Sequence, residues 1–334
     1  MNSLKILAAI AACLLNAAAD AGEYIVQTNS RDDVIHLIDP GTQTVVAEIG
    51  GLPINHGVAA APDGSRLYVS SEATRTLDVV DVASRTVTHR LPLTGRPNNI
   101  AISPDGRKVY VAITGQDGQI NVFDTGALEM VSNIRNNGGV HNVYVTPDGK
   151  HVVAGSIGGR NMAVYDRETE ERLWSMFDQG VRPITFETDE NGETSRAFVH
   201  LSGFHGFAVV DFKSREEVRR IDLPAVPEEQ QDEGPFNNAP AHGIGIAPDG
   251  KTLWHCSRLN GYVYVYSLPD LEYLGGIKAG SHPDWITFSP DGEFAYAANA
   301  HSNDVTVIAV DSLEKVATIP VGKSPKRNIP LVTN

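Results

Sequence analysis

The sequence predicts an all-β protein: a seven-bladed β-propeller with four antiparallel strands per blade, closed by the C-terminal strand joining the N-terminal blade. Three observations predict it. A short apolar strand ending in Asp, or in a substitute, recurs at Asp39, Asp81, Asp124, Asp166, Asp211, Ser267 and Ala309, at intervals of 42, 43, 42, 45, 56 and 42 residues. Pro-Asp-Gly recurs at 62–64, 104–106, 147–149, 248–250 and 290–292, and 189–192 (Asp-Glu-Asn-Gly) takes the remaining place. Beyond residue 21, no segment carries a sustained helical period.

Each element follows from local chemistry. Pro presets the turn and Gly accepts positive φ, so every Pro-Asp-Gly is a hairpin tip, and an alternating apolar strand follows each one. The register at the two ends predicts closure. The chain after residue 21 enters at a second strand, 24–27, with no first strand before it. A seventh first strand is expected around 327–332, innermost beside the N-terminal three. Such closure removes exposed sheet edges.

Residues 1–21 read as a signal peptide. A single Lys5 precedes the apolar run 6–15, and Ala19-Asp20-Ala21 fits a cleavage site after Ala21. Ten apolar residues span about 15 Å as helix, about half of a bilayer core, and no later run is longer, so no transmembrane segment is expected. Ile10 to Cys13 also fits a lipobox, but the apolar run continues past Cys13, which disfavours a lipoprotein. The expected location is the periplasm or outside the cell. Cys256 would then be the sole thiol, and ring closure rather than a disulfide would stabilise the fold.

The balance of 27 Lys+Arg against 41 Asp+Glu gives a net charge of −14, which argues against nucleic-acid partners. A small molecule or a periplasmic protein is the expected partner, and the chain is expected to be a monomer. With 41% hydrophobic residues, it can bury a large core. No Cys-x-x-Cys-His is present, so no covalent c-type haem is expected. Nucleophile-elbow, P-loop and dinucleotide-binding fingerprints are absent as well.

Residues 102–105, 109–112 and 122–124 carry the repeat pattern, as do 289–292 with 295–299 and 302–308 with 317–322. On these residues the chain resembles the YVTN-repeat family of secreted seven-bladed β-propeller proteins, over essentially all of 22–334. It is also distantly similar to the haem-binding propeller of periplasmic nitrite reductases. The resemblance implies the fold; it implies no single function, because that family includes surface proteins and accessory factors for cofactor systems. The fourth blade departs from the pattern by lacking Pro-Asp-Gly.

The functional residues are expected where seven loops converge, at one mouth of the central channel. Aligning the first strands gives a column of polar residues: His56, Asn98, His141, Arg182, His242, Asp284 and Lys326. His205 and His301 fall in loops between second and third strands on the same face, and His282 just precedes its first strand. His56, His141, His242, His205, His282 and His301 are candidate ligands for copper, iron or zinc. Arg182 and Lys326 suit a carboxylate or another anion instead. A hydrated mouth also tolerates polar side chains without any ligand. The acidic, Pro-rich insertion 224–240 explains the interval of 56 and is expected to be a lid or a solvated loop, with Phe236, Asn237 and Asn238 able to reach the mouth. Cys256 is expected to be buried, and His36, His89 and His151 are expected at the surface.

Three functions stay open. The first is a binding or accessory protein holding a small ligand, metal or partner at the mouth. The second is a copper- or iron-dependent oxidoreductase. The third is a metal-assisted lyase or lactonase, with Asp284, His242 and His141 as the first residues to examine.

Overall fold

In a computed structural model that describes residues 22–232 and 238–333, the chain forms seven four-stranded antiparallel sheets arranged as the blades of a propeller. Residues 1–21, with the expected signal and Cys13, lie outside the described residues, as do Phe236 and Asn237. Blade 1 shows the pattern: an inner strand Asn55–Ala60, then Arg66–Ser71, Thr76–Asp81 and an outer strand Thr86–Pro92. The inner strands of blades 2 to 6 are Pro97–Ile102, Val140–Val145, Val181–Thr188, Ala241–Ile246 and Pro283–Phe288. Blade 7 is the closing one. Its inner strand Pro325–Thr333 pairs antiparallel with Gly22–Asn29, which continues into Ile35–Asp39 and Thr44–Ile49.

The two sequence markers have simple causes. All six hairpin-tip glycines (Gly64, Gly106, Gly149, Gly192, Gly250 and Gly292) have φ between 70° and 77°, a region closed to most side chains. Each strand-end Asp from Asp39 to Asp211 accepts backbone N–H bonds from the turn beyond it, as Asp124 does from Gly126 and Ala127 at 2.9 and 2.7 Å. The carboxylate thus satisfies amides that the ladder leaves unpaired.

Apolar side chains fill the spaces between neighbouring blades. Tyr68, Tyr110, Trp254 and Tyr296, which share one position in the second strands, are all buried there. Cys256 is buried too, and burial pushes its thiol well above the ordinary range. His36 corrects the sequence expectation. It is buried rather than at the surface, because its ring sits between Glu48, Asn29 and the amide of Gly322. The described parts of the insertion include one short helical turn, Glu228–Gln230. The Asp232 amide bonds to the Leu259 carbonyl at 2.6 Å, and the Asn238 carbonyl accepts from Gly203 at 2.8 Å. Both anchors hold the insertion against loops of the mouth face. Among the described residues no helix is long and apolar enough to cross a membrane.

The inner strands share one irregularity that sets up the site. All seven carry a register shift at their first residues, where they enter from the mouth. Such bulges re-aim side chains that strict alternation would place otherwise.

Leu331 on the closing strand is buried against Val26, Leu52, Val58 and Leu67. Leu331→Ala should cost about 3 kcal/mol in denaturant unfolding, while Val332→Ala, on the exposed face, should stay within about 0.5 kcal/mol. Equal effects of the two would contradict a closing strand with one buried face.

Candidate functional site at the channel mouth

The polar column predicted from the repeat is present. His56, Asn98, His141, Arg182, His242, Asp284 and Lys326 are each the second residue of an inner strand, at its bulged entry. His56, His141, Arg182, His242 and Lys326 line one cavity of 390 Å³ together with Ser30, Arg31, Ile54, Glu72, Arg96, Arg258 and Ser324. Asn98 and Asp284 lie beneath it, both buried.

Asp284 is fully sealed from solvent. Its Oδ1 accepts from Arg258 Nε at 2.5 Å, and its Oδ2 is bonded to the Lys326 ammonium. Burial alone would raise this carboxyl, but Arg258, Lys326 and the nearby His282 hold it far below the usual carboxylate range. Arg182 lies within electrostatic reach of the same cluster, and its Nε donates to Ser202 Oγ at 2.9 Å. Burial lowers the Arg182 guanidinium to about 10, which still leaves it charged at neutral pH. Arg327 is buried beside this group.

The second carboxylate is equally occupied. Glu72 Oε1 lies 2.5 Å from His56 Nδ1, and Oε2 accepts from Arg96 Nε at 2.7 Å. Arg31, Arg96, Arg182, Arg258 and Lys326 line the cavity with one carboxylate, Glu72, and Asp284 lies beneath them. The mouth is a cationic well in a protein of net charge −14.

The imidazoles do not add to that charge. Burial, and then the neighbouring Arg327, lower His141 well below its ordinary value; burial and Arg258 do the same to His242. His56 is lowered too, chiefly by burial, against the pull of Glu72. The His242 Nδ1 bonds to the Asp284 carbonyl at 2.7 Å, which makes Nδ1 the protonated nitrogen and leaves Nε2 as an acceptor. The His141 and His242 rings meet edge to face with centroids 5.9 Å apart. Below them His200 donates from Nδ1 to the His242 carbonyl at 2.9 Å and pairs through Nε2 with His255 Nδ1 at 3.0 Å.

Three of the six candidate metal ligands are elsewhere. His205 Nε2 bonds to Ser257 Oγ at 2.8 Å, and His282 stacks on His301 with centroids 4.0 Å apart. Among the described residues no group of three His, Cys, Asp or Glu side chains is placed to hold a metal ion.

Sequence reasoning missed Glu72, Arg96, Arg258 and Arg327. A second column would have found two of them: the residues that follow the second strands are Ser30, Glu72, Thr114, Ile157, Ser202, Arg258 and Ala300, at the same repeat intervals.

Comparison with known proteins agrees with the architecture. The family model described as "Lactonase, 7-bladed beta-propeller" matches residues 131–323. The hydrazine synthase subunit beta of Kuenenia stuttgartiensis is 27% identical over 58% of this chain, and the match spans only 60% of that relative. The periplasmic gluconolactonase PpgL of Pseudomonas aeruginosa superposes with a TM-score of 0.74 at 19% identity, over 94% of this chain and all of that one. The dihydro-heme d1 dehydrogenase NirN superposes with a TM-score of 0.68 at 15% identity, over 92% of this chain and 74% of the other. At these identities the two structures establish a shared fold.

Two predictions follow from the buried charges. Asp284→Asn leaves Arg258 and Lys326 without their counter-ion and should cost about 3–5 kcal/mol in denaturant unfolding. Because the folded carboxyl is depressed, its contribution is complete above the ordinary carboxylate value of about 4 and declines as pH falls below it. That part of the acid limb should be missing in the variant. The buried imidazoles act in a higher window. The unfolded chain takes up their protons near pH 6.5 while the folded chain stays neutral, so stability should fall as pH drops from about 6.5 to 5. The limit is about 1.4 kcal/mol per pH unit for each neutral ring. A urea midpoint that does not move between pH 7.5 and 5 would refute their neutrality.

Proposed function

The chain belongs to the family of seven-bladed β-propeller lactonases, and from that premise we propose that it is an exported binding protein which holds an anionic, carboxylate-bearing small molecule at the mouth of its central channel. The observation that carries this reading is the cationic well itself. Five cations, Arg31, Arg96, Arg182, Arg258 and Lys326, line a 390 Å³ cavity whose carboxylate Glu72 is already partnered by His56 and Arg96, and Asp284 beneath it is bonded to Arg258 and Lys326. Arg presents a planar fork that matches a carboxylate, and a partly desolvated site strengthens such bonds. Neutral imidazoles at His141 and His242 each offer Nε2 as an acceptor for a hydroxyl group without adding charge. The absence of a three-residue donor group among the described residues favours an anion over a copper, iron or zinc ion as the occupant.

One observation favours a second reading, lactone hydrolysis. His56 Nδ1 is held by the Glu72 carboxylate, an arrangement that leaves Nε2 as the basic nitrogen on a side chain lining the cavity. A neutral imidazole oriented by a carboxylate is suited to deprotonating water. The attack would open a lactone to a hydroxycarboxylate, and the arginines would stabilise the oxygen that gains charge. Both readings place a carboxylate in the well, as ligand or as product.

Calorimetry with a panel of hydroxycarboxylates, their uncharged amides and the matching lactones tests both. Carboxylates should bind and the amides should not, and Arg182→Gln should weaken carboxylate binding about 10- to 100-fold, the value of one charged hydrogen bond. Turnover of a lactone that is lost in His56→Gln would establish the second reading. Equal affinity for carboxylates and amides would exclude the anion site.

A further inference from the structure

Arg327 differs from every other cation near the mouth. It is the third residue of the closing inner strand and is 2% exposed. Its guanidinium lies over the Trp285 indole, 3.8 Å from the ring centre, and Nη2 makes one long bond of 3.4 Å to Asn98 Oδ1. Nε and Nη1 have no hydrogen-bond partner, although both are sealed from solvent. Among the described residues no carboxylate pairs with it. Asp284, the acidic group near enough to act on it, is already bonded to Arg258 and Lys326. Tyr144, which also feels its charge, keeps its proton at neutral pH, and burial lowers the nearby His56, His141 and His242, so none of them supplies a negative charge.

Buried polar groups are almost always satisfied, and a buried cation needs a counter-charge as well as hydrogen bonds. Water would supply the bonds and leave the charge uncompensated. We propose that Arg327 holds a small inorganic monoanion of halide size in the axial channel beneath the mouth cavity, bound through the Nε–H. One negative charge matches one unpaired guanidinium. The size follows from the surroundings: Trp285 lies 3.8 Å from the guanidinium, Asn98 occupies Nη2, the residue is 2% exposed, and Arg327 does not line the 390 Å³ cavity above. The site is distinct from the well that receives the larger ligand, and its occupation needs no carboxylate at Arg182 or Arg258.

The wild-type protein crystallised in sodium bromide tests this directly. Anomalous scattering should place bromide in hydrogen-bonding contact with Arg327 Nε. In solution, bromide should quench a saturable fraction of the tryptophan emission, because the ion would sit beside the Trp285 ring. That fraction should vanish in Trp285→Phe, and Arg327→Gln should weaken the bromide affinity at least about tenfold. Water density in place of bromide at Arg327 would overturn the proposal. So would bromide found only among Arg182, Arg258 and Lys326, or quenching that rises linearly without saturation. The crystallographic result stands even if the Arg327 variant does not fold.

Discussion

Everything at the mouth depends on the pairing of Pro325–Thr333 with Gly22–Asn29. That ladder ties residues about 300 positions apart in sequence and turns six complete sheets and two fragments into a ring. The same strand carries Lys326 and Arg327 into the centre and sends Leu331 into the space between blades. Closure and charge therefore arrive together. A ring held only by apolar contact would have the same outline but lack Lys326 at the mouth and Arg327 beneath it.

The buried charges are costly to the fold. Asp284 with Arg258 and Lys326 is satisfied, yet hydrophobic residues of similar size would be as stable or more so. Arg327 adds a buried cation with which no carboxylate among the described residues pairs. Under the proposed anion-binding function, the missing sign would come with the ligand. The imidazoles fit the same logic, because their neutrality leaves the sign of the well to the arginines and lysine, and a modest change of pH does not alter it.

Most of the fold was legible because the repeat is legible. The strand-end Asp and the hairpin-tip Gly each answer a backbone requirement, so they recur wherever the backbone repeats. The inner-strand column was legible for the same reason, down to its place as the second residue of each strand. Glu72 and Arg258 obey the same intervals in a neighbouring column and were equally within reach. Arg327 was not. Strict alternation sets it opposite Lys326, away from the site, and only the bulge at the strand entry lets both reach the channel. Burial was no more accessible: His36 sits on a strand that reads as peripheral, but Glu48, Asn29 and the Gly322 amide enclose it. Whether Asp284 faces a ligand or serves as a counter-ion depended on Arg258, which lies 26 residues away in sequence.

The contrast between an acidic exterior and a cationic well also bears on how fast an anion arrives. Solvent-facing carboxylates repel it on approach, and their field is cut off over a Debye length of about 8 Å at physiological salt. The guanidinium groups beneath the rim are screened far less. Added salt therefore weakens the outer repulsion before it weakens the inner attraction. If the proposed anion binds there, its association rate would rise with ionic strength, the reverse of a steered encounter between opposite charges.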